Sequence, residues 1–245
     1  MLSKLKSFLR VSMRIVLDGF KKGFSIFWDD SILLIVLNFI CFLSLLPALL
    51  FYTVTNAVPS IVTLILNTVL FLPSAFFIFA LYHVLFDCRR GIVVNYRVYF
   101  GYVRSTWKQA LIFGVANVVA ALMVGWNLRF YAQFHETWAG IMQAVFISVA
   151  MIWMILQISM LPLYPRLTQP SFKLALRNAG AIFAGYMLPV LVLAVWTVLF
   201  IVLTMLFQAL GMLFSFVFIG ALSEGIIGEI VIDLKGDSDE SDADG

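Results

Sequence analysis

The sequence predicts an all-α fold: a polytopic membrane bundle of about six transmembrane helices, preceded by an amphipathic interfacial helix. Three observations predict it. Hydrophobic residues make up 63% of the 245 residues and charged residues 12%, against roughly 45–50% and about 25% in a soluble domain. The charges are clustered, leaving uncharged runs as long as the 45 residues from Ala179 to Ser223. Those runs are solid apolar blocks, such as Ile32 to Leu37 and Leu188 to Val195, without the alternation of a membrane β-strand. A soluble fold of this length has too little interior for so much apolar surface. About 20 helical residues, at about 1.5 Å each, cross a hydrocarbon core roughly 30 Å thick.

Residues 1–30 form the first element. Leu2, Leu5, Leu9, Met13, Val16, Phe20, Phe24 and Phe27 make one helical stripe, and Lys6, Arg10, Arg14, Asp18, Lys21 and Lys22 lie towards the other face. This is the pattern of a basic amphipathic helix in the membrane interface, its cations towards anionic lipid head groups. The segment lacks the short apolar core and small-residue cleavage site of a signal peptide. The membrane domain, 31–232, then carries spans at about 31–52, 60–86, 109–128, 138–161, 180–206 and 209–228. A basic loop, Asp87 to Lys108, separates the second and third spans. The proline-broken segment Pro162 to Asn178 separates the fourth and fifth. The last two come from the 45-residue uncharged block, folded back near Phe207 to Gly211. Residues 233–245 are acidic and poor in large apolar side chains, and predict a disordered tail.

Lysine and arginine set the orientation. With the N-terminus inside, fifteen of the 16 basic residues fall on cytoplasmic segments and only Arg129 lies outside. Both termini are therefore expected in the cytoplasm of a multi-pass cell-membrane protein. The partners this implies are the lipid bilayer and its anionic head groups, with no nucleic acid.

Polar residues within the spans are the candidate functional groups. Asn38, Asn117 and Gln157 are candidates for a polar pocket between helices. Asn67, Asn127, Gln143 and Gln208 fit interhelical hydrogen bonding equally well, a role that serves packing as readily as ligand contact. His83 reads as a packing histidine near the inner end of the second span. Glu224 reads as an interfacial acid paired with a loop arginine, because an unpaired charge in the bilayer is costly. Arg89, Arg90, Arg97, Arg104 and Lys108 are candidates for a cytoplasmic docking surface, although retention of positive charge inside accounts for them too. Small residues (Gly114, Ala116, Ala120 and Ala121; Gly180, Ala181, Ala184 and Gly185) suit close helix packing. No catalytic motif is present, neither a phosphate-binding glycine loop nor a zinc-protease or serine-hydrolase signature. The chain is therefore not expected to be an enzyme. Cys41 and Cys88 fall at different depths, and no cofactor or metal site is indicated.

Several segments resemble the YesL-like family of bacterial integral membrane proteins, a domain of unknown function. They are Asn38 with Leu46-Pro47, Leu72-Pro73-Ser74-Ala75, Ala80-Leu81-Tyr82 and Arg89-Arg90-Gly91. The series continues with Tyr99-Phe100, Trp107-Lys108-Gln109-Ala110-Leu111, Asn127 with Phe130-Tyr131, and Gln157 with Leu161-Pro162-Leu163. It ends with Ser171-Phe172-Lys173 and Ala175-Leu176-Arg177-Asn178-Ala179. The pieces stand in the family's order over most of residues 31–200, although Pro47 and Pro73 lie further apart here. The resemblance implies a six-helix fold and a setting beside sugar-uptake transporter components, and it carries no catalytic residues. Two functions follow as expectations: an accessory component of a bacterial carbohydrate-uptake or cell-envelope system, with transporter subunits as partners, or a small-solute transporter or channel with a polar pocket between helices.

Overall fold

The computed structural model describes residues 2–55 and 60–243. Most of the predicted link 53–59, the last two residues of the acidic tail and the side chains of Leu2 and Leu5 lie outside the described residues. The described chain is helical, and six of its helical stretches are long and apolar enough to cross a membrane: Ser31–Thr53, Val62–Arg89, Trp107–Tyr131, Thr137–Arg166, Met187–Leu206 and Gly211–Gly236. The protein is thus a polytopic helical membrane protein.

Helix α1 (Leu2–Asp29) leads into α2 (Ser31–Thr55) through Asp30 alone. The second span is two helices, α3 (Ile61–Leu70) and α4 (Leu72–Arg89). They part at Phe71 because Pro73 has no N–H to continue the ladder and its ring crowds the preceding turn. Ser60 caps α3 through a reciprocal bond with Thr63. The basic loop is not irregular throughout: Asn95 accepts a hydrogen bond from the Val98 N–H and starts a short helix, α5 (Tyr96–Ser105). Next come α6 (Trp107–Tyr131), α7 (Thr137–Leu163) and a single 3-10 turn, Tyr164–Arg166.

The fifth span is shorter than the sequence predicts. Residues 180–185 belong to a separate helix, α8 (Phe172–Gly185), and the span proper is α9 (Met187–Leu206). Tyr186 leaves helical geometry between them, with φ −122° and ψ 43°. The last turn falls at Phe207, within the predicted interval, and α10 (Gln208–Ala243) completes the fold. This helix continues through 233–243, where a disordered tail was expected. Extending an existing helix fixes one residue per hydrogen bond, so the continuation avoids the nucleation penalty.

Helix α10 is the central strut, packed against α1, α2, α4, α7 and α9. Helix α1 runs antiparallel along it. Arg14 bonds Asp233 at 2.8 Å, Gly19 faces Ile226, Gly23 faces Ala221, and Phe27 packs edge-on to Phe214 and Phe218. The predicted apolar stripe of α1 is therefore divided. Ser12, Ile15, Val16, Ile26 and Phe27 are buried, whereas Leu9, Met13, Leu17, Phe24 and Trp28 remain exposed. One face packs on α10 and an adjacent apolar strip is left for lipid.

Glycines make the α1–α10 crossing possible. A Cβ on Gly225 would overlap the Gly19 carbonyl and stand 2.7 Å from the Gly23 nitrogen. Both are backbone atoms, which cannot swing aside as a flexible side chain can. By contrast, Gly180 and Gly185 of the predicted packing set face open space, and Ala175 and Ala179 form the buried side of α8. Gly225→Ala is expected to destabilise the protein by about 1–3 kcal/mol and to raise tryptic cleavage at Lys21 and Lys22. Gly140→Ala, in open space, is expected to do neither. Thermal unfolding in detergent and limited proteolysis test this.

Candidate functional site

The strongest concentration of buried charge lies where α4, the turn after α7 and α10 meet. Glu224 is fully buried on α10. Arg166, the last residue of the 3-10 turn, grips both its carboxylate oxygens. Nη1 donates to Oε2 at 2.9 Å and Nη2 donates to Oε1. Arg166 also donates to the Pro162 carbonyl. A buried carboxylate tolerates its loss of water only when paired and hydrogen-bonded in this way, and a planar guanidinium matches both oxygens at once.

Arg89, closing α4, completes the cluster. Its Nη1 donates to the carbonyls of Glu224 and Gly225 at 2.9 and 3.0 Å, and its Nη2 donates to Glu229 Oε1 at 2.7 Å. Gly228 makes room: a Cβ there would overlap the guanidinium of Arg89. Arg166 and Arg90 also lie over the Phe86 ring, 4.9 and 5.5 Å from its centroid, within the range of cation–π attraction.

A second polar group adjoins it. Asp87 is buried and accepts a hydrogen bond from the Tyr102 hydroxyl, which ties α5 to α4. Burial, and then this bond to Asp87, push the Tyr102 phenol up to about 12. Tyr99 donates to the Phe77 carbonyl at 3.1 Å, and burial raises its phenol too. His83 stacks on Tyr102 at 5.0 Å and meets Tyr164 edge-on at 6.0 Å. Among the described residues, His83 Nε2 and the Tyr164 hydroxyl have no hydrogen-bond partner. The packing role expected for His83 fits these ring contacts.

The predicted polar-pocket trio is not one site. Asn117 and Gln157 line a cavity of about 510 Å³ between the α3–α4 break and α6, α7, α9 and α10. Asn117 is engaged at both ends: Nδ2 donates to the Phe113 carbonyl at 2.9 Å and Oδ1 accepts from Trp153 Nε1 at 3.2 Å. Thr68, Ser74 and Thr197 also reach the cavity wall, and each hydroxyl donates to a carbonyl of its own chain segment. The remaining wall is mostly carbon. Asn38 lies elsewhere, inserted into the ladder of α10. Its Nδ2 donates to Met212 O at 2.7 Å, and its Oδ1 accepts from Phe216 N at 2.8 Å and Val217 N at 3.2 Å. It stitches α2 to α10 where α10's own bonds open.

The predicted docking residues divide as well. Arg90, Arg97, Arg104 and Lys108 are exposed, whereas Arg89 is consumed inside the cluster with its side chain 9% exposed. Glu224 meets a loop arginine as expected. The sequence did not indicate which arginine, nor the roles of Glu229, Asp87, Tyr102 and Tyr164. The one usable signal was that Glu224 ends the long uncharged block. No family model, curated protein or solved structure matches the chain.

Two outcomes are expected here. Arg166→Gln leaves a buried carboxylate without its partner and should cost about 3–5 kcal/mol. Glu224→Gln should cost less, and the double variant less than the sum, which a double-mutant cycle in thermal unfolding reads directly. Tyr102→Phe removes the donor to buried Asp87 and should cost about 1–3 kcal/mol at neutral pH. Because the folded phenol is raised, its contribution is fully present below the ordinary tyrosine pKa and fades as pH rises through about 12. The gap between wild type and Tyr102→Phe should therefore close in strongly alkaline buffer.

Proposed function

We propose that this protein is a non-enzymatic accessory subunit of a bacterial cell membrane, serving a carbohydrate-uptake or cell-envelope system. Its basic end, with both termini, faces the cytoplasm. The observation that carries the reading is the rigid platform at that end. Arg89, Arg166, Glu224 and Glu229 clamp three helices together, and Tyr102–Asp87 holds α5 on top of them. Helix α5 then presents exposed Arg97 and Arg104 beside exposed Tyr96 and Phe100. Basic and aromatic side chains held rigidly together are typical of protein-contact surfaces. The carbohydrate setting rests on the resemblance to YesL-like proteins, and the sidedness rests on the distribution of lysine and arginine.

Purification in mild detergent is expected to recover a transporter or other membrane subunit with the wild-type chain, and less of it with Arg97→Glu/Arg104→Glu. Recovery of the chain alone under crosslinking would count against the reading. A reporter fused to either terminus should be active only when the reporter is a cytoplasmic one.

A second reading, a small-solute transporter, is favoured by the cavity beside the broken second span, since transporters often place broken helices at their sites. The carbon-rich wall suits an apolar or amphipathic solute better than a sugar. Uptake of such solutes into liposomes, abolished by Gln157→Leu, would favour transport over the accessory role.

A further inference from the structure

Beside the buried cluster lies a pocket of about 330 Å³ lined by Phe86, Arg89, Arg90, Arg166, Val231 and Lys235, with Gly228 and Ile232. Four of these side chains are cationic and none is acidic. The two carboxylates of the cluster, Glu224 and Glu229, already bond Arg166 and Arg89 and do not line the pocket. Arg90 is exposed and has no carboxylate partner among the described residues. Lys235 aside, the three guanidinium groups of the described lining stand against two carboxylates, so a positive charge is left at Arg90, and the two inner guanidinium groups are held in place before any ligand arrives.

The geometry points to a binding site for a phosphate-bearing anion, with the head group of an anionic phospholipid as its source. Depth selects the source. Arg89 closes the second span and Arg166 closes the fourth, so the pocket lies where the apolar length of two spans ends. Lipid phosphates occupy that level, and basic pockets between helices suit them. Phe86, Val231 and the largely exposed Ile232 give the pocket an apolar side next to its cations. A free phosphate ion has no use for such a side, whereas a glycerol backbone and the start of its acyl chains do. This inference is independent of the accessory role proposed above.

The test uses the full chain purified in a zwitterionic detergent, with bound lipid counted by native mass spectrometry. Phosphatidylglycerol is expected to bind and phosphatidylcholine is not. Arg90→Glu, a change of two charges, should weaken phosphatidylglycerol binding about 30-fold, since each unit of charge near an anionic head group contributes roughly a fivefold factor. Arg90 is exposed, so the buried cluster stays intact, which an unchanged unfolding temperature verifies. Arg97→Glu, equal in charge but outside the pocket, should bind as wild type does. Equal loss in both variants, or none in the first, would overturn the site. Displacement of the lipid by millimolar inorganic phosphate would overturn the lipid as its source.

Discussion

The ion pair between Arg166 and Glu224 is the constraint on which the rest of the structure depends. A fully buried carboxylate among apolar helices is stable only with its charge matched and its oxygens bonded. That requirement brings the turn after α7 against α10, and Arg89 of α4 against the carbonyls beside the same glutamate. Three helices far apart in sequence thereby acquire a common depth and register. The apolar contacts around them, such as Phe79 with Tyr164 and Phe113, are non-directional. They fill space, but they would tolerate a slip that the charged groups do not.

Helix α10 can serve as the common partner because its surface is unusually accessible to backbone and guanidinium groups. Gly225 admits the backbone of α1, Gly228 admits Arg89, and Gly220 admits Leu85. In lipid, where burial of apolar surface gives helices little reason to associate, close approach and satisfied polar groups supply the attraction. The amide of Asn38 makes the same point nearer the start of α10, where it replaces a stretch of the helix's own ladder. The strut is thus gripped by glycine contacts and ionic bonds along one part and by a side-chain amide along another.

What was legible in the sequence follows from this division between local and distant causes. Span number, the amphipathic first helix and the turn at Phe207 all depend on local composition and run length, and all were readable. The cap at Asn95 is local chemistry too, but the helix it starts is short and its sequence is interrupted by arginines and a glycine, so no long apolar run marks it. The division at Tyr186 escaped because the uncharged run continues through it. The partners of Glu224 and Asn38 escaped for a different reason. Each lies far away in the chain, and an asparagine bonded to backbone atoms leaves no complementary residue to find. Gly19 and Gly23 stand four apart, a small-xxx-small spacing present in the sequence of α1, but Gly225, which they receive, lies at the opposite end of the chain.

The same ion pair also bears on which function the fold can support. Alternating access moves one group of helices against another around a central site. Here the cavity lies among α4, α6, α7, α9 and α10, and three of those helices are clamped at the basic end. Separating Arg166 from Glu224 would expose each buried charge without its partner, at a cost of several kcal/mol. Rocking open at that end is therefore strongly opposed. The α3–α4 break at Phe71 and the inserted Asn38 are joints of a softer kind, since neutral hydrogen bonds exchange at lower cost than buried charges. Motion, where it occurs, belongs to that part of the bundle. A bundle clamped in this way at one end is poorly built for alternating access, which weighs against the transporter as the better of the two readings proposed above.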